Sequence, residues 1–118
     1  MEFDAPDLYD RLERSGPAEW DEAGLGLIAM NKEGDVLRYN AHESKLAGLS
    51  EATVLGRHFF TDVAPCTNNF LIASRYEEDE ELDEVVDYVF TVRMKARAVK
   101  LRMLKKADSE TMYLVVKD

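Results

Sequence analysis

The stretch VVDYVFTVRM, Val85 to Met94, decides the fold. Its side chains alternate: Phe90, Val92 and Met94 fall on one face, Thr91, Arg93 and Lys95 on the other. A period of two marks a half-buried β-strand. AVKLRML (Ala98 to Leu104) repeats the pattern with Val99, Leu101 and Met103 inward, and TMYLVVK (Thr111 to Lys117) reads as a third strand. Upstream, GLGLIAM (Gly24 to Met30) reads as a buried strand, NKEGD as a turn pivoting on Gly34, and VLRYN (Val36 to Asn40) as the hairpin partner. The middle is helical. Asn40 caps NAHESKLAG, which stops at Gly48, and Ser50 caps SEATVL, which Gly56 closes. HFFTDVAPC reads as a loop entering a helix, and TNNFLIASRYEED as that helix, with Phe70, Leu71 and Ile72 inward. At the start, Asp4 caps a helix with Pro6 early in it and Leu8 and Leu12 one turn apart, ended by Gly16-Pro17. This order predicts an α+β domain: a five-stranded antiparallel sheet flanked by short helices. Residues 1–20 read as an acidic N-terminal helical cap, and residues 21–118 as the core.

Composition narrows the function classes. A chain of 118 residues, 46% apolar, fits one domain with a sizeable core. No apolar run reaches the ~18 residues of a membrane span, and the acidic, mixed N-terminus is unlike a signal peptide. A cytoplasmic protein is expected. The net charge of −9 argues against nucleic acid and anionic membranes. The charge is uneven: residues 91–118 hold eight basic and three acidic residues, a net of +5, which leaves −14 for residues 1–90. The opening segment through Glu22 is net −6. We expect this acidic cap to dock on the outer sheet face, where Arg93, Lys95, Arg97, Lys100 and Arg102 are expected mainly to point. EEDEELDE (Glu77 to Glu84), seven acids in eight residues, reads as a solvated helix end and loop.

DVAPCT (Asp62 to Thr67) holds the only cysteine, Cys66. A lone cysteine excludes an internal disulfide and a multi-cysteine metal cage. It is either buried filler or a thiolate nucleophile that holds something. Pro65 restricts the backbone before it. Tyr39 and Glu43 lie four apart, so on a helical turn they project from neighbouring positions. Asn40 and Glu43 equally fit a capping box, with Glu43 at the third helical position. Neither His42 nor His58 has a second ligand at metal spacing, and no base is placed to make Cys66 a thiol enzyme.

The order of elements is that of PAS sensor domains. YNAHE (Tyr39 to Glu43), VLGRHFFTDVAPCT (Val54 to Thr67) and DYVFTVRM (Asp87 to Met94) sharpen the likeness. On these motifs the chain resembles the photoactive yellow protein family, from about Asp21 to Lys117. The resemblance implies a blue-light receptor, not an enzyme, that carries p-coumaric acid (4-hydroxycinnamic acid) as a thioester on Cys66. It implies that Tyr39 and a protonated Glu43 hydrogen-bond the phenolate, that light drives trans–cis isomerisation, and that proton transfer from Glu43 then loosens the domain. The pocket would be lined by Ile28, Phe59, Phe60, Val63, Ala64, Pro65, Thr67, Phe90, Val92 and Met94, with Met94 as a gate. Three positions depart from the pattern. Ala47 stands where a threonine braces the tyrosine, Leu49 where an arginine lies over the ring, and Val92 where an aromatic precedes the methionine. The output would reach a downstream signalling protein or a fused domain, with a homodimer open. A PAS module that binds a ligand or a protein without light sensitivity is the alternative.

Overall fold

The computed structural model describes residues 1–92 and 94–118; Arg93 and the side chain of Val92 lie outside the described residues, and with them the expected outward placement of the first and the pocket role of the second. Two short helices open the chain, α1 (Leu8–Arg14) and α2 (Pro17–Asp21). Asp7, not Asp4, precedes α1, so Pro6 falls outside it. The strands are β1 (Gly26–Asn31), β2 (Val36–Tyr39), β3 (Leu82–Val92), β4 (Lys95–Lys105) and β5 (Thr111–Lys117). They form one antiparallel sheet in the order β2-β1-β5-β4-β3. Between β2 and β3 lie α3 (Ala41–Ala47), α4 (Glu51–Val54) and α5 (Ala73–Glu78).

Alternation sorts the sheet into two faces. Ile28, Phe90, Val99, Leu101, Leu114 and Val116 point inward and pack against Ala47, Val54, Phe59, Ile72 and Tyr76 of the helical layer. The outer face is covered by the N-terminal segment. There Phe3, Leu8, Tyr9, Leu12 and Trp20 pack on Leu27, Ala29, Leu104, Tyr113 and Val115. Each such buried side chain contributes about 1.5–3 kcal/mol, so this contact is mainly apolar. Charge adds little: Lys106 pairs with Asp10 at 3.0 Å on the exposed rim. Arg102 donates to the carbonyls of Phe3 and Ala5 (2.8 and 2.7 Å) and forks onto Asp83, with its side chain 7% exposed. Arg38 stacks 3.6 Å from the Trp20 ring and donates to Ser15 O.

Several local expectations change. HFFTDVAPC is not a loop. Phe59–Val63 form a wide π-helical turn, in which Ala64 N–H reaches Phe59 O five residues back (2.8 Å), and Pro65–Thr67 make a single 3-10 turn. The following helix starts only at Ala73, because Asn69 Oδ1 accepts from Leu71 and Ile72 N–H and turns the chain first. Three consecutive residues cannot share one helix face. Ile72 is fully buried, while Phe70 is 80% and Leu71 56% exposed. The acidic run is only partly a free loop, since β3 begins within it at Leu82 and Arg75 ties Asp79 to Glu84.

Candidate functional site

Asn40 builds the near side of the site. Its Oδ1 accepts from Glu43 N–H (3.1 Å) and from Leu27 N–H (3.0 Å), and its Nδ2 donates to Trp20 O and Leu25 O (2.7 and 2.8 Å). It therefore caps α3 and ties that helix to β1 and the end of α2. The capping box is only half made, because the Glu43 carboxylate does not return to the cap. It turns into the interior instead and is completely buried. Gly26 makes room: a Cβ there would stand 2.3 Å from Glu43 Oε1. Tyr39, at the end of β2, is buried beside it. At the other end of α3, Gly48 takes the left-handed conformation (φ 73°) and stops the helix.

The partner of Glu43 is a residue expected on the outer face. Arg97 Nη2 donates to Glu43 Oε1 at 2.8 Å. Arg97 shares the parity of Val99, Leu101 and Met103, so it extends the inward row of β4, opposite Phe90. That parity was readable in the sequence. Its guanidinium lies 5.4 Å from the Phe90 ring centroid and 3.6 Å from Asp118. The pair is incomplete: Glu43 Oε2 and Arg97 Nε are buried without hydrogen-bond partners. Burial pushes the Glu43 carboxyl up to about 7, against the lowering effect of Arg97 and with a smaller push from Asp118. Burial, then the Glu43 charge, also holds the Tyr39 hydroxyl well above its usual value.

Cys66 sits at the far end, half-buried in the 3-10 turn. Its sulfur accepts from Thr91 N–H on β3 at 3.3 Å. Its carbonyl accepts from the Tyr88 hydroxyl and from Asn69 Nδ2 (3.1 Å), which also bonds Tyr88. Tyr88 and Asn69 had no assigned role in the sequence; Asn69 stands three residues beyond the cysteine, the spacing of a local turn bond. Thr67 is buried and donates to Ala64 O at 2.7 Å.

One continuous line joins the two ends. Cys66 Sγ meets Thr91, Phe90 is the next residue of β3, Arg97 lies over Phe90, and Arg97 binds Glu43. Ile28, Phe59, Phe60, Val63, Ala64 and Ala47 are buried in the same cluster, with Leu49 packed against it. Phe59 stacks on Phe90, 6.5 Å between centroids and 19° between planes. Two expected residues fall elsewhere: Pro65 is exposed, and Met94 is 97% exposed. β3 ends at Val92 opposite Lys95, and Met94 stands at the turn with φ 65°, so it does not continue the inward row of Phe90. A groove of about 610 Å³ runs over β3, β4 and β5, lined by Asp87, Tyr88, Val89, Ala98, Lys117 and Asp118; Cys66, Phe90, Arg97 and Glu43 are not in its lining, although Tyr88 and Asp118 touch the two ends of this line. Among the described residues no cluster of His, Cys, Asp and Glu could hold a metal ion, and no helix is long and apolar enough to cross a membrane.

The photoactive yellow proteins of Rhodothalassium salexigens and Halochromatium salexigens are each 31% identical to this chain, over 99% of it and 96% of their own length. The chain belongs to the photoactive yellow protein family. No family model matches it. In three dimensions it superimposes on the photoactive yellow protein domain of the sensor histidine kinase Ppr from Rhodospirillum centenum. That match has a TM-score of 0.84 and 33% identity, covering 92% of this chain and 98% of that one. The PAS domain of an HTR-like protein from Haloarcula marismortui matches at TM-score 0.70 with 14% identity, a likeness of fold. Membership of the photoactive yellow protein family makes this a PAS-fold photoreceptor domain, sensory in role.

Proposed function

We propose that this chain senses blue light through a p-coumaroyl group held as a thioester on Cys66, with Tyr39 and Glu43 at its phenol end. The observation that carries this reading is the line from Cys66 through Thr91, Phe90 and Arg97 to Glu43. The residues present suit such a group. A half-buried sulfur is available for acylation at one end, apolar walls of Ile28, Phe59 and Phe90 lie between, and an unpaired carboxylate oxygen waits at the other. When bound, the group supplies a conjugated tail that absorbs blue light as a phenolate and can change geometry about its double bond.

The chain's own residues do the rest. The Cys66 carbonyl is fixed by Tyr88 and Asn69, which orients the sulfur. Phe59 and Phe90 exclude water. Glu43 holds a proton at a buried oxygen. Losing that proton leaves a charge whose cost in a dry site depends on Arg97. A change at Glu43 is felt by β1 through Gly26 and by β4 through Arg97. Both strands also carry the outer-face contacts of residues 1–20, through Leu27 and Ala29 on β1 and Arg102 and Leu104 on β4. Release of that N-terminal segment from the residue 21–118 core is the output we assign, passed to a signalling partner or a fused domain.

Mixing the purified protein with an activated ester of p-coumaric acid tests the reading. A yellow product bleached by blue light and one added acyl group on Cys66 are expected, and neither should form with Cys66→Ser. A wild type that stays colourless overturns the photoreceptor chemistry and favours a PAS module that binds a ligand or protein without light sensitivity.

A further inference from the structure

We propose that the outer edge of β3 is a docking site for an extended basic segment of a partner protein, added to the sheet as a further strand. Two observations fix the parity of this edge. Val92 pairs with Lys95 across the turn, and Thr91 N–H points away from β4 to donate to Cys66 Sγ (3.3 Å). In an antiparallel ladder a residue sends its N–H and C=O to the same side. Asp83, Val85, Asp87 and Val89 therefore aim both groups away from the sheet, and none of these groups has a hydrogen-bond partner among the described residues. The opposite edge is different: β2 is short, and Val36 N–H donates to Arg57 O while Val36 O accepts from Gly56 N–H, both at 2.9 Å. β3 runs from Leu82 to Val92, with Val85 49% and Val89 60% exposed. A row of unpaired backbone groups on a long edge strand is a template for another chain.

Charge selects the occupant. Residues 77–87 hold eight acids and no Lys or Arg. Arg75 ties Asp79 and Glu84, Arg102 ties Asp83, and Lys100 ties Asp87. Eight acids against these three cations leave the edge at a net of −5. A second copy of β3 would bring Asp83, Glu84 and Asp87 against the same acids, and like charges across a strand pair repel. A basic strand is attracted. The two faces of the edge also differ. Even-numbered side chains such as Val86, Tyr88 and Phe90 point to the helical layer, where Arg75 of α5 reaches Glu84 and the acidic chain of residues 77–81 leads into β3. Odd-numbered side chains point to the outer face, where Val85 and Val89 are bare and the acids Asp83 and Asp87 already hold cations. The matching segment therefore alternates, with Lys or Arg toward the helical layer and Val or Ile toward the outer face.

The test uses the full ligand-free chain and the end-capped peptide Lys-Val-Lys-Val-Lys-Val-Lys. The peptide should bind and slow amide exchange at Val85, Asp87 and Val89, while Val86 and Tyr88, which bond β4, change little. Residues paired across a ladder share a face, so the valine nitrogens are the ones that meet β3. Methylating them keeps the charge and should weaken binding at least about tenfold; methylating the lysine nitrogens, which face away, should not. Replacing every lysine by threonine should also cost at least about tenfold. Val85→Pro removes one outward N–H, a change that an edge strand tolerates, and should abolish the protection. If that variant does not fold, the two methylated peptides decide. Absent binding, or equal binding of the valine-methylated and parent peptides, overturns the proposal. Equal binding of the threonine peptide overturns the selection by charge. A dimer of the free chain that dissociates in Val85→Pro makes a second copy the occupant and overturns the basic partner. None of these readouts involves acylation of Cys66, so their failure leaves the photoreceptor reading standing, and a colourless protein leaves the edge as it is.

Discussion

Glu43 is the residue on which the domain's energetics turn. It is fully buried, and burial lifts its carboxyl from 4.5 to about 7. The folded state therefore holds this proton more tightly than the unfolded chain. Stability from the raised value is fully present below about pH 4.5 and is lost as pH rises through about 7. A shift of this size is worth on the order of 3 kcal/mol. Urea denaturation at about pH 5 and about pH 8 should show wild type losing more stability than Glu43→Gln between the two; parallel profiles would rule the assignment out. Asn40 gives a second expectation at this scale. Replacing it with Ala strands the N–H groups of Glu43 and Leu27 and the carbonyls of Trp20 and Leu25. The loss should be about 2–3 kcal/mol in equilibrium unfolding, and a loss below about 0.5 kcal/mol would mean that water replaces the side chain.

At the scale of elements, β1 and α3 meet with no room to spare. A Cβ at Gly26 would strike Glu43 Oε1. Gly26→Ala should therefore push the carboxylate aside and loosen its bond to Arg97. The cost should be about 1–3 kcal/mol and should shrink in a Glu43→Ala background, where only the tight 3.1 Å approach to Val116 Cβ remains. Additive losses in that double-mutant cycle would show that the two positions do not interact. The same scale explains what could be read early. Asn40 with Gly48 and Ser50 with the next short helix are local signals, and both caps form. The β3 and β4 alternation is equally local. Where β3 stops is not: pairing of Val92 with Lys95 puts Met94 at the turn, a decision made between strands.

Across the whole molecule, the N-terminal segment and the inner-face line lie on opposite sides of one sheet. The outer contact is largely apolar, with Lys106–Asp10 as an exposed ion pair. Its strength should thus be almost indifferent to salt. Amide exchange of residues 1–20 should change little when about 0.5 M NaCl is added, since screening acts on exposed charges. Trp20→Ala, by contrast, should cost about 3–5 kcal/mol and free the segment. Salt-induced release with a neutral Trp20→Ala would reverse this account.

The sequence by itself determined the architecture and the two ends of the candidate site. Strand period, helix caps and turn glycines are properties of neighbours along the chain, and the motifs around Tyr39, Glu43 and Cys66 could be read without folding it. Only the tertiary structure decided what those ends touch. Arg97 reaches Glu43 across 54 positions of sequence, Tyr88 reaches the carbonyl of Cys66 across 22, and Phe70 is turned to solvent by the turn at Asn69. Parity along a strand says which residues share a face. Which face becomes the interior, and which buried charge meets which, depends on how sheet and helices pack, and that is settled only when the distant parts of the chain are brought together.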